Sequence, residues 1–297
     1  MIEFLKHKKI YYITSLILVI GTILSLAVWG LNLGIEFTGG SIMEIQYEER
    51  PSVAEVREKL AGLDLGEISI QPIGEQSFVL RMRSISKEVY QEISQRLVGA
   101  TKNYFESIGP IIGEELRRSA LISIILASLS IILYIAITFS GSGEKRVKSW
   151  QCGIIAAGLA FFHDVFIVLG LFSILGHFWE VQITIPIIVA LLTVLGYSVN
   201  DTVVIFDRVR ENTSKNPRLT FPDIVEKSLN ETLTRSINTS FTTLLVLFAM
   251  LFFGGETLRW FILAMIVGIS LGAYSSIFLA GPLLVSWFNL NKKIIKK

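Results

Sequence analysis

Apolar residues in this chain gather in long unbroken stretches rather than on one face of each element. A bilayer core about 30 Å thick needs roughly 20 apolar helical residues. Six stretches reach that length: Ile10 to Leu31, Ser119 to Phe139, Cys152 to Leu175, Val181 to Phe206, Ser236 to Gly255 and Trp260 to Leu290. Ionisable residues interrupt two of them, His163 and Asp164 in the third and Asp201 in the fourth. The last is long enough to require tilt or an interfacial end. Lys6, Lys8 and Lys9 precede the first stretch as they would in a signal peptide. The apolar run, however, is about twice the length of a signal h-region and no small-x-small site follows it. It reads as an uncleaved span.

Between the first two spans, residues 32–118 change to a different pattern. Met43, Ile45 and Tyr47 alternate as in a half-buried strand, as do Ile68 with Ile70, and Phe78 with Leu80 and Met82. Ser52 and Glu55 form a capping box before Val53, Val56, Leu60 and Leu63 at helical spacing. A second helix is expected to carry Tyr90, Ile93, Leu97, Ala100 and Tyr104. The order is βαββα, most of a ferredoxin-like split βαβ unit with helices on one face of an antiparallel sheet. The expected fold is therefore an α-helical integral membrane protein with six transmembrane helices and one small α+β domain between helices 1 and 2. Its divisions are 1–31, 32–118, a five-helix region 119–291 with loops 140–151 and 207–235, and a basic tail 292–297. In the second loop, Thr220 caps a helix with Pro222 in its first turn that continues through Val225, Leu229 and Leu233 into the fifth span.

Composition supports this reading. Of 297 residues, 52% are hydrophobic and 18% charged, which excludes a disordered or fibrous chain. A net charge of +2 is too small for a nucleic-acid footprint. A lone Cys152 allows neither an internal disulfide nor a cysteine-based metal site, and no metal ligand set is expected elsewhere. Sixteen of the 27 Lys and Arg residues fall before the first span, in the two loops and in the tail. By the positive-inside rule these segments and both termini are expected in the cytoplasm, with 32–118 outside. That domain shows no catalytic spacing of His, Cys or carboxylates, so binding or mechanics is expected of it rather than enzyme activity.

Candidate chemistry lies in the spans. Asp201 is the sharpest feature, because a carboxylate at the centre of a spanning helix costs at least ~2.5 kcal/mol and normally marks an ion or proton path. Five residues separate it from Asp207, which places it roughly 8 Å inside the cytoplasmic boundary. Ser198 and Tyr197 share its face and Asn200 adjoins it. Arg235 opens the fifth span from the same side, followed on its face by Asn238, Thr239 and Thr242. It reads as the counter-charge of Asp201 or as an anchor snorkelling to the interface. His163 and Asp164 point about 100° apart, so they cannot both face one partner helix; they fit a proton relay or a packing role. Gly34, Glu36, Gly39 and Gly40 form a Gly-rich turn after the first span, with no Lys to suggest phosphate binding. Gly268 and Gly272 form a small-xxx-small pattern of close helix packing.

These motifs together resemble the SecF branch of the SecD/SecF protein-export family, within the RND superfamily. The resemblance rests on Gly-Ile-Glu-Phe-Thr-Gly-Gly at 34–40, Phe162 to Val165, the run from Gly196 to Asn212, and Tyr274 to Phe278. It covers essentially the whole chain, and the run around Asp201 is the specific part. Glu36 departs from the family's more usual Asp but keeps the charge. The resemblance implies half of a twelve-helix assembly completed by SecD in the inner membrane. It implies Asp201 as the proton-carrying carboxylate, coupled to Arg235, with protons as the coupling ion and no cofactor. It further implies assistance to late preprotein translocation through the SecYEG channel, with YajC and YidC as further associates. Two other classes compete: half of an RND-type small-molecule or lipid exporter, and an intramembrane aspartyl protease built on Asp164 and Asp201. The second lacks the Gly-x-Gly-Asp arrangement of such proteases.

Overall fold

A computed structural model of the chain describes residues 2–138, 154–155, 158–255 and 258–295. The expected loop 140–151, with Lys145, Arg146 and Lys148, and Cys152 lie outside the described residues. Two compact units result, Leu33–Ile122 and the remainder.

After a 3-10 turn at Leu5–His7, α1 spans Lys8–Trp29 and α2 spans Ile35–Thr38. Strand β1 (Gly40–Tyr47) leads to α3 (Val53–Lys59), β2 (Ser69–Ile73), β3 (Ser77–Met82), α4 (Lys87–Arg96) and β4 (Ala100–Ile108). All pairings are antiparallel in the order β2-β3-β1-β4. Met43 and Ile45 of β1 pack with Phe78 and Leu80 of β3 under Val56, Leu60, Ile93 and Leu97, a core closed to solvent. Ser52 caps α3, accepting from the Glu55 amide at 3.2 Å, while the Glu55 carboxylate bonds the Ser52 hydroxyl rather than its backbone.

One element differs from the sequence pattern. Ala100 and Tyr104 do not extend α4; they belong to β4, which pairs with β1 along its length. Ala100 and Tyr104 keep the helical spacing of Ile93 and Leu97, but the chain leaves helical geometry at Leu97 and turns into β4 through Gly99, whose φ of 83° is left-handed. The order is thus βαββαβ, which completes the split βαβ unit.

The second unit holds the spans. Six described helices are long and apolar enough to cross a membrane, and the chain is a multi-pass membrane protein. Helix α5 runs Pro110–Thr138, starting earlier than expected. A π-helical stretch, Leu159–Val165, leads into α6 (Phe166–Trp179). Helix α7 covers Ile185–Lys215 and α8 covers Phe221–Phe253. The stretch 207–235, expected as a loop, is therefore helical on both sides of a short turn. Thr220 caps α8, accepting from the Asp223 amide at 3.4 Å, with Pro222 in its first turn. Helix α9 (Arg259–Ser275), a second π-helical stretch (Ser276–Ala280) and α10 (Gly281–Ile295) form the last span, and α10 takes in part of the expected tail.

The spans are joined at both ends. Leu5 N–H donates to Glu226 of α8 at 2.9 Å and Ile2 N–H to Asn230 at 2.8 Å, so the N-terminal residues lie at the same end of the bundle as the α7–α8 turn. At the other end the Ile183 amide donates to the Asn32 carbonyl at 2.7 Å. Trp29 stacks on His177 there, beside Phe178, as aromatic residues do at a membrane interface. Gly268 and Gly272 let α9 approach α7 closely: a Cβ on them would stand 2.3 Å from Val194 Cγ2 and 3.0 Å from Ser198 Cβ.

Candidate functional site

Helix α7 carries its ionisable residue on a face sealed by the other spans. Asp201 is 5% exposed, and its Oδ2 atom has no hydrogen-bond partner among the described residues. A buried polar atom without a partner is uncommon in folded proteins. The groups acting on this carboxyl come from α8: the Ser236 side chain and the charge of Arg235. Ser240 Oγ, one turn further along the same helix, is likewise buried without a partner among the described residues. Arg235 is exposed, and it makes no ion pair within 4 Å among the described residues, Asp201 included.

A cavity of about 670 Å³ opens beside this pair. Val203, Val204, Asp207, Arg208 and Glu211 of α7, Glu231, Thr232 and Arg235 of α8, and Tyr134 of α5 line it. Arg208 bridges Glu211 at 2.5 Å and Glu231 at 2.7 Å, and Asn212 donates to Glu231 at 2.6 Å, so the mouth is held by charges that link the two helices. Arg235 belongs both to the wall of the cavity and to the surroundings of Asp201. The arrangement links a buried carboxyl on α7 to a polar vestibule through Arg235, which lines the vestibule and whose charge acts on the carboxyl. Such a carboxyl can exchange a proton with water that enters, and it can do little covalent chemistry.

Of the other residues singled out from the sequence, Ser198 is buried and donates to Asp164 Oδ2. Asn200 lies on the exposed side of α7 and is not brought to Asp201. Tyr197 shares a hydrogen bond with Thr243 of α8 at 3.2 Å. Asn238, Thr239 and Thr242 leave a polar stripe on the exposed face of α8. His163 and Asp164 are buried and bonded to each other, and they reach different helices, as their angular separation requires. Both Asp164 oxygens have partners, none of them Asp201, so the two acids form no dyad.

The Gly-rich turn lies wholly in the first unit. Gly34 precedes α2, Gly39 has a φ of 73° and Gly40 of 141°. A Cβ on Gly39 would stand 2.9 Å from Pro110 Cα, and one on Gly113 would stand 2.8 Å from the Gly39 nitrogen. The glycines therefore lay the start of the domain against the start of α5, with no room for a side chain between them. Ser15 and Ser275, which bond His163 and Asp164, were not legible as site residues, because hydroxyls are common inside spans. Among the described residues, no three His, Cys, Asp or Glu side chains converge as metal ligands would.

Comparison with known proteins places this arrangement. Residues 88–290 match the family described as protein export membrane protein SecD/SecF, C-terminal, and residues 24–49 match the SecD/SecF GG motif. The chain is 40% identical to protein translocase subunit SecF of Thermobaculum terrenum, over 97% of this chain and 95% of that one. It is 38% identical to the subunit of the same name from Rhodothermus marinus, over 95% and 92% respectively. Among solved structures it is similar to SecDF, a translocon-associated membrane protein from Thermus thermophilus, with a TM-score of 0.84 and 35% identity over 97% of this chain. A SecDF structure in a super-membrane-facing form gives a TM-score of 0.71 at 35% identity over 99% of this chain. The chain spans only 39% and 40% of those two longer proteins.

Proposed function

The chain belongs to the SecD/SecF family of protein-export membrane proteins, and we propose that it is the SecF half of a proton-driven assembly that helps preproteins across the membrane. The observation that carries this reading is Asp201: a carboxyl sealed inside the bundle, one oxygen unpartnered, acted on by the charge of Arg235, which itself lines a polar vestibule. A proton arriving at Asp201 removes its charge, and the pull of Arg235 on α7 is lost with it. Proton release restores the pull. Each cycle thus changes the force between α7 and α8, and that change is what the spans would offer to the domain at 33–122.

The polar stripe on α8 and the fraction of SecDF that this chain spans both support SecD as the partner in the bundle. The assembly acts at the SecYEG channel, with YajC and YidC as further associates, in the inner membrane. The basic residues place both termini and the 207–235 segment in the cytoplasm. Protons are the coupling ion; no cofactor is required and no bond in the preprotein is broken, so the chain is not an enzyme.

Asp201→Asn tests the reading. In vesicles carrying this chain with SecD, the variant is expected to assemble normally and to lose proton-dependent stimulation of translocation. Stimulation at the unsubstituted level would remove Asp201 as the carrier.

A further inference from the structure

The pair His163 and Asp164 lies outside the vestibule and has no part in the cycle above. Both residues occupy the π-helical stretch Leu159–Val165, and Asp164 is fully buried. His163 Nδ1 lies 2.8 Å from Asp164 Oδ1, and Nε2 lies 3.0 Å from the hydroxyl of Ser15 on α1. The other Asp164 oxygen accepts from Ser198 of α7 and, at 2.9 Å, from Ser275 of α9. Two adjacent side chains therefore bond three helices besides their own.

The chemistry of the pair decides its role. With one proton shared between them, imidazole and carboxyl form a unit of zero net charge, whichever group holds the proton. Both ring nitrogens and both carboxylate oxygens then have partners. Gain or loss of a proton would leave a net charge among groups unable to balance it. From α1 the pair meets Ser15, from α7 Ser198, and from α9 Ser275 and the Tyr274 ring, stacked at 5.9 Å with its hydroxyl donating to the Tyr11 carbonyl. The nearest acid on α7 is Asp201 itself, one turn beyond Ser198. Neither His163 nor Asp164 lines the vestibule.

The Ser198–Thr202 turn is also gripped from its other side. Ser276, which opens the second π-helical stretch, donates to the Ser198 carbonyl at 3.2 Å and bonds the Thr202 hydroxyl at 2.8 Å. Gly272 offers no Cβ to push Ser198 away. Both π-helical stretches in the spans thus converge on the turn that carries Asp201, and such interruptions of α-helix recur at functional sites.

We propose that His163 and Asp164 form a positioning unit for Asp201: a neutral clamp that keeps its own proton and, through Ser198, sets the surroundings in which Asp201 meets the transported one. This rests on the reading of Asp201 as the proton carrier, yet it can be tested without transport. A hydrophobic carbodiimide modifies protonated carboxyls in apolar surroundings, so the fraction of Asp201 labelled across a pH series, read by mass spectrometry, gives its protonation midpoint. The measurement uses the full chain with its partner subunit in lipid vesicles.

Ser198→Ala is expected to move that midpoint by about half a pH unit, roughly threefold in proton affinity. The labelled fraction of Asp164 is expected to stay constant across the series. Ser275→Ala, which removes the second hydroxyl from the same oxygen, is expected to move the midpoint in the same sense and serves if Ser198→Ala does not assemble. An unmoved midpoint in an assembled variant overturns the proposal. So does a labelled fraction of Asp164 in the unsubstituted protein that changes over the range in which Asp201 titrates, since that would make the pair a proton exchanger. If Asp201→Asn keeps its stimulation while Ser198→Ala moves the midpoint, the carrier reading fails and the clamp stands.

Discussion

The two units of this chain differ most in what they expose and in how many polar residues they bury. In the domain at 33–122, Met43, Ile45, Leu80 and Ile93 are closed to solvent while the charged side chains lie at the surface. In the spans, Ile17 is 64% exposed and Phe253 91%, while Asp164, Thr202, Ser228, Ser236, Ser275 and Ser276 are 0% exposed. Water makes the first arrangement, because removing apolar area from it drives the domain together. Lipid removes that drive, and helices associate instead through close contact of small residues and hydrogen bonds. A buried polar residue therefore carries different information in the two units. In the domain such residues are few, Ser41 among them; in the spans they are the cement, and only a residue that is buried, ionisable and unpartnered, such as Asp201, stands apart.

The largest effect that would test this contrast lies in the domain core. Leu80→Ala deletes a fully buried side chain of β3 from the domain core and is expected to cost about 2–5 kcal/mol. The loss would show as faster amide hydrogen exchange along β1 and β3, with exchange in α7 and α9 unchanged. Comparable loosening of α7 and α9 would mean that the two units do not hold themselves together separately.

A smaller effect is expected where the spans depend on the absence of a side chain. Gly268→Ala would set a methyl group 2.3 Å from Val194 Cγ2, and overpacking of this kind typically costs about 1–3 kcal/mol. Thermal unfolding in detergent should fall accordingly, and Val194→Ala should restore part of the loss. Failure of that second change to help would place the α7–α9 contact elsewhere than at this glycine.

How far the sequence discloses these features follows the same division. Spans declare themselves because a run of about 20 apolar residues has few other uses, and Asp201 declares itself because a charge there is costly. Strand β4 was concealed, since Ala100 and Tyr104 continue the helical spacing of Ile93 and Leu97; only Gly99 signals the break. The π-helical stretches were concealed as well, because they come from packing of several helices and leave no local spacing to read. Ser15 could not be told from other hydroxyls in spans, yet its bond to His163 completes the clamp. Asn200 was placed beside Asp201 by adjacency, but a neighbour on a helix points about 100° away, and the structure has it on the exposed side.

The smallest effect sharpens the contrast by making one substitution in both units. Ser52 and Ser198 each lend a hydroxyl to a carboxylate, Ser52 to Glu55 at 3.0 Å in water and Ser198 to Asp164 inside the bundle. Ser52→Ala removes the cap of α3 and is expected to cost about 1 kcal/mol, because water can satisfy the exposed amide and carboxylate that remain. The loss should be confined to exchange at the first turn of α3, leaving the protonation midpoint of Asp201 where it was. Ser198→Ala removes the same atoms where no water is at hand, so its effect is expected at Asp201, one turn away, rather than in the number of ordered amides. If the two variants proved alike, each changing only local exchange, the buried hydroxyls of the spans would be doing no more than the exposed ones of the domain.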